Sequence, residues 1–127
     1  MRLQSADIRE HYDRIRDALD EVRRITAETW RPEDVYAACV NAQAFFYVAD
    51  DGFVVVKPLR DAYSGEQYLH VWIAWGDGVD LVERYKSEVD KLAAVAGCNR
   101  IELVSPRRGW ERVAGWSVKS VTYERRL

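Results

Sequence analysis

The chain has 127 residues and a mass of 14.7 kDa, the usual size of one domain, so we expect residues 1–127 to fold as a single unit. A formal net charge of −2 excludes a general electrostatic attraction to nucleic acid. No apolar run approaches the ~20 residues that a membrane-spanning helix needs, and the first residues lack a secretory signal, so we expect a soluble, cytoplasmic protein without membrane contact. The two cysteines, Cys39 and Cys98, have no metal-ligand spacing, which predicts buried free thiols and no metal site.

Two helices are predicted before the first strand. Apolar residues recur every three or four positions between Ile8 and Ile25, which predicts an amphipathic helix over Asp7–Thr26 with Asp7 as its cap. Its opposite face is densely charged, and the regular apolar stripe leaves coiled-coil pairing with another helix open. Pro32 fits the first position of a second helix, which we expect to end near Asn41.

The remainder of the chain predicts strands and two further helices. Residues 44–49 and 53–58 read as a hairpin around Asp50-Asp51-Gly52, where the glycine is expected to supply a positive φ. Both hairpin strands are apolar at nearly every position, so we expect both faces of the sheet to be covered. The later predicted elements are a strand at 68–75, a helix at 79–96, a strand at 100–104, a short helix at 108–114 and a strand at 116–125.

This order of elements resembles the GNAT superfamily of acyl-CoA N-acyltransferases across nearly the whole chain. The segment from Arg108 to Trp116 is similar to the family's short helix and the glycine-aromatic step into its last strand. The resemblance implies an α/β (α+β) fold with a central, twisted, mainly antiparallel sheet and helices on both faces. Compact GNAT-like proteins of this size occur in tailed-phage genomes, and the sequence is similar to these as well.

The resemblance also implies where acetyl-CoA or another acyl-CoA would bind. Backbone N–H groups of Trp75, Gly76, Asp77, Gly78 and Val79 correspond to the turn that holds the pyrophosphate at a helix N-terminus. Ile73, however, replaces the family's Arg or Gln, and the carboxylates of Asp77 and Asp80 would face the phosphates. At ~5 Å and an effective dielectric of about 20, each such like-charge pair costs roughly 3 kcal/mol before screening. The alternative interpretation is a strand-to-helix turn capped by one of these aspartates.

Two residues are candidates for the base that takes a proton from an acceptor amine. His70 is the one side chain in its strand that titrates near neutrality, and Glu66 lies just before that strand. His70 can equally be a hydrogen-bonded core residue. Glu111 stands where the family often has a tyrosine that protonates the leaving thiolate.

Two functions follow from these residues. One is a non-enzymatic, phage-related or interaction protein with a degenerate acyl-CoA site. It would contact a protein partner or a second copy through the Asp7–Thr26 helix or an aromatic surface, and virion association would fit it. The other is a divergent acyl-CoA-dependent N-acyltransferase acting on an amine. The tryptophans Trp72, Trp75, Trp110 and Trp116 are expected together, either as a filled core or as the lining of a cleft.

Overall fold

The computed structural model describes residues 3–76, 81–105, 110–112 and 115–127. Its helices are α1 (Ile8–Ile25), α2 (Pro32–Val40) and α3 (Leu81–Val95), followed by a single 3-10 turn at Trp110–Arg112. Its strands are β1 (Gln4–Ser5), β2 (Phe45–Ala49), β3 (Gly52–Arg60), β4 (Gln67–Gly76) and β5 (Ile101–Leu103). The predicted helices and strands up to residue 104 are therefore confirmed where they are described.

The strands form one five-stranded sheet in the order β1-β2-β3-β4-β5. The first three pairings are antiparallel, and β5 joins β4 in parallel after the α3 crossover. The mainly antiparallel α/β fold predicted from the sequence is thus confirmed. Strand β1 was not predicted, because a two-residue edge strand carries no sequence period.

The sheet buries a separate apolar cluster on each face, because alternate residues of β3 point to opposite sides. Phe53 and Val55 pack with Ile15 and Leu19 of α1 and with Val35 of α2. On the other face, Val54 and Val56 pack with Leu69 of β4 and with Ala93, Val89 and Leu92 of α3. Helices therefore cover both faces of the sheet, as its uniformly apolar strands indicated.

Helix α1 uses its apolar stripe inside the molecule. Ile8, Ile15 and Leu19 are 2%, 6% and 0% exposed, and Tyr12 and Val22 pack beside them. Asp7 caps the helix by accepting a hydrogen bond from Arg9 N at 2.9 Å. Because the stripe lies on the sheet, it is not free for coiled-coil pairing, and the charged face of α1 is the one left for contacts.

Two local predictions are wrong. Gly52 does not take a positive φ; a Cβ at this position would instead lie 2.3 Å from Trp75 O and 2.8 Å from Gly76 Cα, so the glycine is required by the close approach of β3 to β4. The cysteines are also half-buried rather than buried.

The C-terminal segment, residues 116–127, forms no strand, although its sequence predicted one over 116–125. It leaves apolar side chains in solvent: Val118, Val121 and Tyr123 are 63%, 58% and 90% exposed. Lys119 contacts Glu102 of β5 at 3.0 Å, through side chains and without ladder bonds. A strand of only three residues, β5 offers few main-chain groups to a further strand. The predicted helix over 108–114 is described only at Trp110–Arg112.

Candidate functional site

The site is organised by an irregularity in β4. Val56 pairs with Val71 and Val55 with Ile73, so Trp72 is an extra residue, which makes a β-bulge. Beyond the bulge, β4 continues to Gly76, but β5 pairs only with Leu69–Val71 and then ends. The upper half of β4 therefore has a strand neighbour on one side only.

A cleft opens where β5 no longer accompanies β4. Its cavity volume is about 90 Å³, and it widens into open solvent at its mouth. Its floor comes from β3, β4 and β5, one wall from α3, and the other from two indoles near the C-terminus. The lining residues include Val54, Val71, Ala74, Trp75, Tyr85, Val89, Ile101, Leu103, Trp110 and Trp116.

The expected tryptophan cluster is divided between two sites. Trp75, Trp110 and Trp116 line the cleft, and the last two rings meet edge to face with centroids 5.7 Å apart. An aromatic-lined cleft is thus present, and Trp72 and Trp75 also pack against the core cluster on the α1/α2 face of the sheet. Trp72 packs against Trp30 on the α1/α2 face of the sheet, opposite to the face on which its neighbour Val71 packs.

Two of the residues predicted to bind an acyl-CoA are described, and of these Trp75 lines the cleft. Trp75 stacks on Phe53 with ring centroids 5.8 Å apart, and Gly76 is the last residue of β4. Asp77, Gly78 and Val79 lie outside the described residues, as does Asp80. Ile73 is 1% exposed and belongs to the core cluster on the α1/α2 face, so its side chain cannot reach a ligand.

The cleft offers little to an anion within the described part of the chain. Lys86 is the cation among its described lining residues, and its Nζ lies 3.7 Å from Asp90 Oδ2. Tyr85, which is 5% exposed, donates a hydrogen bond to Asp51 of the β2–β3 turn and so ties α3 to the hairpin. Polar atoms contribute almost nothing to the cleft wall, which makes it an apolar site.

His70 lies on the opposite face of β4 from the cleft floor, beside Glu102 of β5. Its Nδ1 is buried, 3.3 Å from Glu102 Oε1, without the alignment of a hydrogen bond. Burial lowers the pKa of His70, and the nearby carboxylate only partly offsets this. His70 is therefore neutral at pH 7, the state that a general base requires.

Glu66, the second predicted base, is held in an ion pair. Arg100 Nε donates to Glu66 and Arg100 Nη1 donates to Glu102 at 3.2 Å, so the two carboxylates are linked through one guanidinium. Burial raises the pKa of Glu102, but hydrogen bonds from Lys119 and Arg100 outweigh it and leave this pKa below its usual value. The structure thus joins Glu66 and His70 in one charged network, without direct contact between them.

Sequence reasoning missed Glu102 and Lys57. Lys57 pairs with His70 across the β3–β4 ladder, and its Nζ lies 3.6 Å from the centre of the Trp72 ring. Burial lowers the pKa of Lys57 and raises that of nearby Cys39 to about 11. The sequence did contain a signal for these two residues. Lys57 and Glu102 are charged residues within apolar stretches of β3 and β5, and a charged side chain that is buried requires a partner.

Two negative findings concern the described residues only. No helix among them is long and apolar enough to cross a bilayer. Likewise, no group of three or more histidine, cysteine or acidic side chains in the described ranges could hold a metal ion. The side chain of Glu111, which stands at the position of the family's tyrosine, lies outside the described residues.

By sequence, the chain matches no family model and no curated protein. By structure, it resembles a "probable acetyltransferase" with a TM-score of 0.70 and 14% identity, over 100% of this chain and 97% of that one. The ribosomal-protein-alanine N-acetyltransferase of Brucella melitensis biovar Abortus 2308 gives a TM-score of 0.69 and 14% identity over 98% and 97% of the two chains. An acetyltransferase of Trypanosoma brucei gives 0.64 and 10% over 98% of each. The chain therefore has the fold of the GNAT-type acetyltransferases.

Proposed function

We propose that this is a GNAT-fold binding protein whose acyl-CoA site is degenerate, and that it acts through interactions rather than catalysis. The observation that carries the proposal is the character of the cleft below Gly76. It is apolar, and its described cation is already paired with Asp90. The side chain of Ile73, at the position of the family's Arg or Gln, is buried in the core on the other face of the sheet.

The described part of the cleft has too few donors and cations to compensate the negative charge of a pyrophosphate. A pyrophosphate leaves water only where N–H donors or cations replace its hydration, and an uncompensated buried charge costs several kcal/mol. Within residues 76–80 the backbone N–H groups are available as donors, but Asp77 and Asp80 add negative charge to the same stretch. The residues present therefore fit an acyl-CoA poorly.

A surface for a partner is available at the C-terminus. Val118, Val121, Tyr123 and Leu127 belong to one ten-residue segment and are all more than half exposed, and exposed apolar surface is a common mark of interaction sites. The charged face of α1 is a second surface at which a partner can bind. The similarity to compact tailed-phage proteins supports a phage-related assembly role, with virion association as part of the proposal.

One observation favours the alternative, a divergent acyl-CoA-dependent N-acyltransferase. His70 is neutral and half-buried, and a buried nitrogen without a hydrogen bond, such as its Nδ1, is a common feature of reactive sites. In that role His70 would accept the proton of an acceptor amine, and Glu102 would stabilise the resulting imidazolium. The ion pair with Arg100 makes Glu66 the weaker candidate for this step.

A titration with acetyl-CoA separates the two functions. The proposal predicts no change in melting temperature up to millimolar acetyl-CoA. An acyltransferase at 100 times its Kd would gain about 2.7 kcal/mol, which is roughly 10 °C for a domain of this size. A shift of that kind that Gly78→Asp abolishes would contradict the degenerate site and support the acyltransferase. The second measurement is light scattering at several concentrations, which reports self-association, together with a pull-down, which reports a protein partner. A strictly monomeric protein that captures no partner would count against the interaction role.

A further inference from the structure

The C-terminal segment, residues 116–127, meets the cleft at its first residue and the edge strand β5 just beyond it. Trp116 packs edge to face on Trp110, with ring centroids 5.7 Å apart, and both indoles line the cleft. Lys119 Nζ lies 3.0 Å from Glu102 Oε2 of β5. We propose that this segment is a movable cover of the cleft, held closed by the Lys119–Glu102 ion pair. The inference goes beyond the proposed function, because it holds whether or not a coenzyme enters the cleft.

The segment has little else in the described structure to hold it in place. It contains no helix or strand, and every residue from 117 to 127 is exposed, whereas Trp116 is half-buried. Segments with few buried contacts and no ladder of backbone hydrogen bonds open at a low cost in free energy. Gly115 precedes the segment with a φ of 87°, and a Cβ there would meet nothing within 4 Å. The chain is therefore free to change direction at this glycine, as at a hinge.

The ion pair is placed to control the position of Trp116. Glu102 is 22% exposed, and its Oε2 also accepts a hydrogen bond from Arg100 at 3.2 Å, so the carboxylate is a fixed anchor. Lys119 follows Trp116 by three residues, and three residues span at most about 10 Å. As long as Lys119 stays on β5, the indole of Trp116 cannot move far from the cleft.

The same ion pair is weak enough to be reversible. The side chain of Lys119 is 65% exposed, and a pair of this exposure is screened by salt and shifts an equilibrium by at most about fivefold. The pair can therefore break without unfolding β5, whose backbone is held by β4. Breaking it leaves the contact between the two indoles as the described link between this segment and the cleft.

Fluorine NMR of the full chain, labelled with fluorotryptophan, measures the position of Trp116. The five tryptophans give one resonance each, and Trp116→Phe identifies the resonance of this indole. Lys119→Gln should move that resonance toward its value in the urea-unfolded chain, with the ratio of released to closed protein rising up to about fivefold. Salt at about 1 M should shift the parent protein in the same direction. Trp30 packs on the other face of the sheet, so its resonance should not change.

A second charge in the same segment provides the matched control. Arg126 Nε lies 3.1 Å from Glu124 Oε1, a pair that ties the segment to nothing else. Arg126→Gln removes one positive charge, as Lys119→Gln does, and should leave the Trp116 resonance unchanged. Lys119→Arg keeps the charge and should behave like the parent. An equal effect of Lys119→Gln and Arg126→Gln, or no effect of Lys119→Gln, would overturn the inference.

A thiol in the wall of the cleft measures whether the segment covers it. Leu103 lines the cleft and is half-buried, so Leu103→Cys in a Cys98→Ser background is labelled with a small neutral maleimide. When opening is fast relative to labelling, the labelling rate follows the open population. Lys119→Gln should therefore accelerate labelling of the introduced thiol up to about fivefold. Native Cys39, which packs on the other face of the sheet, is the internal control and should keep its rate.

The remaining outcomes of the labelling experiment count against a cover. If the Trp116 resonance moves but the introduced thiol is labelled no faster, the segment moves without covering the cleft. If Lys119→Gln accelerates labelling of both thiols equally, the substitution loosens the whole domain rather than the segment alone. Either result would refute the assignment.

Discussion

The three helices end in the same backbone motif but not with the same residue. After each helix, the second residue beyond it has a positive φ: 54° at Ala27, 58° at Ala42 and 75° at Gly97. The N–H of the next residue donates a hydrogen bond to the carbonyl oxygen five residues earlier. Glu28 N donates to Arg23 O at 3.0 Å, and Cys98 N donates to Ala93 O at 2.8 Å. This is the Schellman motif, in which glycine is the favoured residue at the positive-φ position.

The magnitude follows from these φ values. An L-residue in the left-handed region costs about 1–2 kcal/mol, and the greater freedom of glycine in the unfolded chain offsets about half of it. Ala27 and Ala42 are exposed, so replacing them loses no buried methyl group. Ala27→Gly and Ala42→Gly should therefore each raise the free energy of unfolding by about 0.5–1 kcal/mol, or roughly 2–4 °C. The two sites lie on different helices, so their effects should add.

Urea denaturation measures this series, with two substitutions as internal references. Gly97→Ala should destabilise by about 1 kcal/mol or more, because its Cβ would also lie 3.2 Å from Gln67 Oε1. Ala94→Gly, in the last turn of α3, should lose up to about 1 kcal/mol because glycine is a poor helix former. The same Ala→Gly change thus has opposite signs at Ala27 and Ala94. If Ala27→Gly destabilised as Ala94→Gly does, the reasoning would be refuted.

Three further predictions concern the site and its surroundings. Gly52→Ala should cost about 1–3 kcal/mol in thermal unfolding, because the new Cβ would meet Trp75 O at 2.3 Å and displace the end of β4. The pKa of His70 is lowered in the folded state, so the unfolded chain binds more protons than the folded chain below about pH 6.5. The free energy of unfolding should therefore fall as the pH decreases through that value. His70→Asn should flatten this part of the profile. Because burial raises the pKa of Cys39 to about 11, its reaction with a maleimide at pH 7.5 should be slow and should accelerate toward pH 11.

Each of these predictions has a clear contrary result. A Gly52→Ala protein as stable as the parent would mean that β3 and β4 do not approach as described. For the pH profile, His11→Asn is the matched control, and an equal effect of both histidine changes would remove His70 from the argument. For the thiol, single Cys39→Ser and Cys98→Ser variants separate the two rates, and rapid labelling of Cys39 at pH 7.5 would contradict its burial.

The chain's local chemistry predicted the elements. The three-to-four spacing of Ile8, Ile15 and Leu19 and the position of Pro32 predicted α1 and α2, and the apolar runs around Gly52 predicted the hairpin. These signals are local, because they depend on backbone periodicity and on which residues favour a cap or a turn. They were sufficient for the order of elements, and that order was sufficient to predict the fold that the solved structures share.

The site depended on contacts that no local pattern contains. Glu102 meets His70 only because β5 joins β4 in parallel at that register, 32 residues further along the chain. Trp72 packs on the α1/α2 face of the sheet, away from Trp110 and Trp116, and the early end of β5 opens the cleft. Residues 116–125 have the apolar alternation of a strand, but β5, the strand beside them, has only three residues with which they could pair. The sequence by itself determined which segments are helical or extended; only the tertiary structure decided which side chains share a site, because strand register and burial are properties of the whole chain.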